Sequence, residues 1–450
     1  MIDSNELTAS VKCDTGTHRK IGLPERPVLP LDNLIAHDCF QTEAVREQTR
    51  FFMEIRSITL FCEPQFDIVD AGRFFEAARD SFHLPVQTTR LAMPPFPDWW
   101  DDQAQEGPVA FADHWQQTGA QYISLGPVKL RHDERWLDTI PTILSATDTL
   151  FATVEIADQE GQIDPRRCYR MAGVVQQVST IIDNGFGNLY LAALANCPPG
   201  SPFFPVAYHQ GGPARFAVAV DSADLALEAI CGGRSLAEAR QKLIAAIEAA
   251  AGEIAQDAQR LAEKMRIPFG GIDFSLAPYP TDDKSLAAAM EAFGLPHLGA
   301  PGSLFTAAIV AEAINQANFP RCGFSGLMLT VLEDSVLADR AGSGLVGINE
   351  LLGYASVCGV GLDTVPLAGD ISQAALTGIL LDVAALSVRL DKPLTARLMP
   401  IPGLKAGDLA QFNFPFFADG RVMKVENQGV GEKLSSAERL TLRPYRSRRQ

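Results

Sequence analysis

Two stretches of this chain set acidic and hydroxyl side chains into otherwise apolar runs. One is Gly271-Ile-Asp-Phe-Ser-Leu-Ala-Pro278; the other is Cys358-Gly-Val-Gly-Leu-Asp363, with Pro366 and Gly369-Asp370 following. A carboxylate inside an apolar strand is costly to bury unless it is paired, hydrogen-bonded or coordinating a cation. Asp273, Ser275, Asp363 and Asp370 are therefore read as delivered by two buried strands to one rim. Asp273 and Asp363 are candidate catalytic acids or bases. With Asp370, and with Glu155 in a further apolar run, they are also a candidate oxygen-ligand set for a hard cation such as Mg²⁺ or Ca²⁺. The structural alternatives are a helix cap at Asp370 and an ion pair of Asp273 with Arg90 or Arg397.

His209 ends the segment Asn196-Cys-Pro-Pro-Gly-Ser-Pro-Phe-Phe-Pro-Val-Ala-Tyr-His, which carries four prolines and three bulky aromatics. That is too apolar for an exposed loop, so the segment should pack inside the protein, with His209 as an acid, base or ligand. A core histidine bonded to a carbonyl is the competing reading. Arg90, after Thr88-Thr89, could hold a carboxylate or phosphate, or pair with a rim aspartate. The expectation is that His209 and Arg90 flank one anionic group at a cavity mouth. Thr89, Asn196, Ser275 and Cys358 complete the candidate substrate-binding set. Ser275 and Cys358 would be nucleophiles only beside a base, which nothing in the sequence supplies. Gly342-Ser-Gly-Leu-Val-Gly347 fits a dinucleotide fingerprint, but no strand precedes it, so NAD is not expected.

The elements that must position these residues follow a strand-then-helix rhythm. Strands are predicted over 55–62, 86–93, 122–128, 150–156, 189–195, 215–220, 271–276, 326–332, 361–366 and 396–401. Helices fall between most of them, the longest over 236–265 with Ser235 and Glu238 as a capping box. Alternation of this kind implies an α/β fold with parallel pairings. No helix separates the fifth and sixth strands, so parallel order must break there. The predicted architecture is a ten-stranded α/β barrel of two five-stranded halves, with 196–209 as an internal loop. It spans 53–427, after a proline-containing leader at 1–52 and before a tail at 428–450. A continuous open sheet is the alternative.

The chain has 450 residues, 47% of them hydrophobic, and a formal net charge of −16. The acidic balance argues against nucleic acid or an anionic membrane as partner. No run approaches the ~18 apolar residues of a spanning helix, and the N-terminus lacks the order of a signal peptide, so a cytoplasmic location is expected. None of the eight cysteines forms a C-x-x-C pair, which reads as reduced structural thiols.

The 271–278 and 358–370 motifs, Gly299-Ala-Pro-Gly302, Val86-Gln-Thr-Thr-Arg90, and Asn196 with Pro202-Phe203 and Tyr208-His209 together resemble the family called domain of unknown function 711. The resemblance covers about 53–427. It implies a fold similar to the ten-stranded barrel of pyruvate formate-lyase and ribonucleotide reductase, whose internal loop presents a catalytic cysteine. Cys197 occupies that loop here. The region to Gln450 lacks an Arg-Val-x-Gly segment, so no glycyl radical is expected. The function expected is an enzyme acting on a small polar or anionic metabolite by acid–base or metal-assisted chemistry; the alternative is a metabolite-binding regulatory protein. Besides the small-molecule ligand, the expected partners are a second copy in a homodimer and, from the resemblance, a small ACT-domain protein.

Overall fold

The computed structural model describes residues 53–100, 107–357 and 359–445; the leader expected at 1–52 and Cys358 lie outside them. The strands are β1 (Glu54–Phe61), β2 (Val86–Ala92), β3 (Tyr122–Val128), β4 (Leu150–Ala157), β5 (Gln162–Ile163), β6 (Leu191–Ala195), β7 (Arg215–Asp221), β8 (Phe269–Ala277), β9 (Gly361–Ala368), β10 (Leu394–Ile401), β11 (Leu409–Ala410), β12 (Gly420–Arg421) and β13 (Leu440–Thr441). The nine long ones form one mostly parallel sheet in the order β8-β7-β1-β2-β3-β4-β6-β10-β9.

Parallel order fails at two seams. β7 runs antiparallel to β1, and β10 antiparallel to β6. The first follows from the missing helix between β6 and β7. The predicted fifth strand starts two residues late, because Asp183–Tyr190 is a 3-10 segment turned by left-handed Asn184 and Gly185. The strand predicted over 326–332 is not a ladder. It makes single parallel bridges, Leu327 to Leu276 on β8 and Thr330 to Asp363 on β9.

The helices cover the sheet with apolar faces, as an α/β layer arrangement requires. Ile68–Ser81 is capped by Asp67, whose side chain accepts from the backbone N–H groups of Val69 and Asp70. Leu236–Met265 is capped by Ser235 as read from the sequence. One expectation needs correcting. Gln373–Leu390, 18 residues at mean hydropathy 1.4, is apolar and long enough to cross a membrane. In this fold it packs on the helix Pro165–Val178, burying Leu376, Leu380, Val383 and Ala384.

The segment 196–209 lies inside, as its composition demands, with Ser201 to His209 buried. Phe203 and Val206 pack with Leu194, Ala277, Met328 and Val360. Ser124 on β3 holds the segment by donating to the Ala207 carbonyl at 2.5 Å, and the Tyr208 hydroxyl donates to the Cys197 carbonyl at 3.0 Å.

The C-terminal stretch returns to the body. β13 pairs antiparallel with β5, Arg439 forms an ion pair with Asp164 at 3.0 Å, and the Arg389 carbonyl accepts from the Tyr445 backbone N–H at 2.7 Å. Ending the chain at Asn427 should leave the fold intact and lower the Tm by about 2 °C, the scale of one or two kcal/mol in a domain of this size. A thermal melt of the truncated protein checks it.

Candidate functional site

The polar interior is organised by a chain of buried ion pairs. Arg56 on β1 donates to Asp221 on β7 at 2.9 Å and to Glu333 at 2.5 Å. Arg397 on β10 donates to Asp363 on β9 through Nε at 2.5 Å and Nη2 at 2.9 Å, and to Glu333 at 3.2 Å. Glu333 thus links two guanidiniums. Burial pushes its pKa up, but Arg56 and Arg397 outweigh that and hold it below the usual carboxylate range. Asp363 is held above that range, because burial and the charge of Glu333 exceed the pull of Arg397.

Arg90 stands apart from this chain. Among the described residues it makes no ion pair. Its Nε donates to the Thr88 hydroxyl at 2.8 Å, and its guanidinium lies 5.1 Å from the centre of the Phe204 ring and 5.8 Å from that of Tyr122. Burial first, and the neighbouring Arg56 cation second, lower its pKa to about 9, which leaves it charged at neutral pH. Half-buried and without a carboxylate in contact, it is a cation short of a counter-charge.

Arg90 lines a narrow cavity of about 20 Å³, room for little more than one water as the side chains stand. The other walls are Arg56, Asp273 and Ser275 on the polar side, and Phe203, Phe204, Ala219, Val220, Ala277 and Met328 on the apolar side. Asp273 and Ser275 share a face of β8 by the two-residue strand period. The Ser275 hydroxyl donates to Asp273 Oδ1 at 2.5 Å, so the base that the sequence did not place beside Ser275 is two residues before it. Asp273 also accepts from the backbone N–H groups of Ser325 at 2.9 Å and Phe324 at 3.0 Å. Burial, the largest cause, still raises its pKa against these donors.

Asp273 and Asp363 each brace a strained turn. Ser325, which donates to Asp273, has φ 42°, and Thr364, which donates to Asp363 at 3.0 Å, has φ 44°. A β-branched residue in the left-handed region is a true outlier.

Several expected groupings are not assembled. Asp363 pairs with Arg397 and is not among the cavity walls, so Asp273 and Asp363 do not share one small site. Asp370 is exposed, and the following helix is capped by Ser372 instead. Among the described residues no three His, Cys, Asp or Glu side chains gather as a metal set. Glu155 is engaged by Lys129 at 3.0 Å and by the Leu130 backbone N–H at 2.8 Å.

His209 is 1% exposed, and its backbone N–H donates to the Met93 carbonyl. Met93 lies three residues past Arg90, roughly 10 Å along an extended chain, and His209 does not line the cavity. Its Nε2 reaches the Gly212 carbonyl at 3.2 Å, and its Nδ1 has no partner among the described residues. Thr89 faces the opposite side of β2 from Arg90, where its hydroxyl donates to the Gly119 carbonyl at 2.7 Å. Asn196 is half-buried, left-handed at φ 54°, and donates to Asp391 at 3.4 Å. Cys197 is buried with its thiol pushed up to about 12 by burial, far from a reactive thiolate.

Arg56 and Glu333 escaped sequence reasoning. Arg56 sits at the start of a strand, where a charge is usually solvated, and Glu333 ends the apolar run Leu327-Met-Leu-Thr-Val-Leu332. That run was the available signal.

Fold and site together define an α/β protein with an enclosed, arginine-lined cavity and a serine–aspartate pair on its wall. The family model described as "Uncharacterised ACR (DUF711)" matches residues 67–413, and the chain belongs to this family. It is similar to a UPF0210 protein of Pyrobaculum aerophilum, 34% identical over 62% of this chain and 63% of that one. A UPF0210 protein of Methanopyrus kandleri is 32% identical over 61% of this chain and 63% of its own length. Another, from Acetivibrio thermocellus, is 26% identical over 87% of this chain and 88% of its own. The chain thus spans less than two thirds of the Pyrobaculum and Methanopyrus relatives.

Glu333→Gln should lower stability by about 3–5 kcal/mol, the cost of removing one partner from buried charges; denaturant unfolding measures it. For His209, burial lowers the imidazole pKa below its ordinary value of about 6.5, against the raising effect of the Gly212 carbonyl. The unfolded chain then binds the extra proton more readily. Stability is complete above about pH 6.5 and falls as the pH drops through that value. The fall in Tm from pH 7.5 to 5.5 should be shallower in His209→Asn, which melts across that range test.

Proposed function

We propose that this protein is an enzyme that holds a small anionic metabolite at Arg90 and abstracts a proton from it through Ser275 and Asp273. The observation that carries this reading is Arg90, a half-buried guanidinium with no carboxylate partner among the described residues, in the same cavity as Asp273. An anion supplies the missing counter-charge, and the planar fork of arginine fixes its orientation with two parallel hydrogen bonds. The apolar walls exclude water from its other side.

The proton has a path. As Ser275 Oγ takes a proton from the substrate, its own passes along the 2.5 Å hydrogen bond to Asp273 Oδ1. Burial makes Asp273 a stronger base than an exposed carboxylate, in the direction that general-base catalysis needs. Proton abstraction next to a stabilised anion is the opening step of an isomerase or a lyase. The site lies within the fold, behind the internal segment, rather than at an open mouth.

The bridges of Leu327 and Thr330 to β8 and β9, the two ends of the strand path, also favour a ring. In this reading 327–330 is the tenth stave. β1, β2, β3, β4 and β6 make one parallel half, and β7, β8, the 327–330 stave, β9 and β10 the other.

Small anions such as acetate and inorganic phosphate should raise the Tm of the wild type, and Arg90→Ala should abolish that rise. Ser275→Ala should keep the rise while lowering turnover, found by activity profiling on a metabolite pool, by about 10²-fold. An anion-induced rise that persists undiminished in Arg90→Ala refutes the assignment.

A further inference from the structure

The donors around Arg90 say more about the anion than its charge. β1 and β2 pair in parallel register, Ser57 opposite Thr88 and Thr59 opposite Arg90. Register partners in a parallel pair present side chains on the same face, with strands about 4.8 Å apart. Ser57 and Thr59 therefore stand on the face that carries Arg90, one strand over, beside the cavity rather than among its walls. Both are 0% exposed, and among the described residues neither hydroxyl has a hydrogen-bond partner.

Buried hydroxyls are ordinarily satisfied, and each one left unmade costs about 1–3 kcal/mol. Two such hydroxyls beside an uncompensated guanidinium form one unsatisfied donor set. Thr88 completes the row but is engaged, since its hydroxyl donates to the Arg56 carbonyl at 2.7 Å and accepts from Arg90 Nε.

Resting on the reading of Arg90 given above, we infer that the anion is a phosphate monoester rather than a carboxylate. A carboxylate has two oxygens, and a bidentate guanidinium faces them both, leaving only their outer lone pairs for other donors. A phosphate monoester has three terminal oxygens, each a strong acceptor. Two of them take the Arg90 fork, and the third takes the hydroxyl protons of Thr59 and Ser57. The ester oxygen points the organic part at the walls of Phe203, Ala277 and Met328, with Ser275 within the same cavity. Thr59 is then the residue that sets specificity, and Arg90 the one that sets affinity for any anion.

The test uses the full-length protein and calorimetric titration with inorganic phosphate, propyl phosphate and butyrate, on wild type, Thr59→Val, Ser57→Ala and Arg90→Ala. Valine copies the shape of threonine without the hydroxyl, so Thr59→Val should fold with an unchanged or higher Tm. The expected result is propyl phosphate bound at least 10-fold more tightly than butyrate, a preference that Thr59→Val cuts to under 3-fold while butyrate binding stays the same. Ser57→Ala should narrow the preference in the same direction. Butyrate binding as tightly as propyl phosphate, or a phosphate preference indifferent to both hydroxyl variants, overturns the inference while leaving the Arg90 anion site standing. Inorganic phosphate binding without propyl phosphate overturns the monoester assignment. Anion binding that survives in Arg90→Ala removes the underlying reading and this one with it.

Discussion

The structure depends on neutralising charge where water is absent. Asp221, Arg56, Glu333, Arg397 and Asp363 alternate in sign, and each contact joins a different pair of chain segments. The Arg56–Asp221 link spans the antiparallel seam between β1 and β7, and Glu333 carries the chain across to β9 and β10. Such a row contributes little net stability, because desolvation offsets most of the Coulomb gain. Its effect is on arrangement. Displacing any one member strands a buried charge, so the relative positions of these strands are set within narrow limits.

That constraint gives Arg90 its meaning. Every other guanidinium in this interior row has a carboxylate, while Arg90 has a hydroxyl and two aromatic faces. The carboxylates around it are committed elsewhere, Glu333 and Asp363 to Arg397, and Asp221 to Arg56 and Gln87. Asp273, which shares its cavity, is turned to its own serine and to the 324–325 backbone.

Much of this was legible in the sequence because burial leaves a mark on composition. Long strands alternating with helices gave the α/β class, and the prolines and aromatics of 196–209 predicted its interior position. Asp273 and Ser275 were picked out because polar side chains rarely interrupt apolar strands, and Arg90 because it follows Thr88-Thr89 late in a predicted strand. What was hidden is partnership. Asp363 and Asp273 look alike in sequence, yet one sits against Arg397, 34 positions later, and the other against a backbone turn near 325. His209 and Arg90 are close in the chain's logic but separated by three residues of β2. The segment 327–330 was read as part of a full strand because hydrophobicity reports burial, not the number of ladder bonds.

The buried position of 196–209 also bears on how the chain assembles. This segment joins the two groups of strands and rests on both, on Ser124 from the first group and on Ala277, Met328 and Val360 from the second. Its first set of neighbours is made before it and its second set follows in the chain. The N-terminal strands can therefore form a platform, the segment can settle on it through Ser124 and Met93, and the C-terminal strands then close over it. Threading an apolar strand of chain into a finished shell is avoided by the order of synthesis. Contacts as distant as Arg56 with Glu333, 277 positions apart, are the last to form, and non-local pairings of this kind make folding slow. The cavity, walled by residues from β1, β2, β7, β8 and the 202–204 stretch, exists only once that last step is complete.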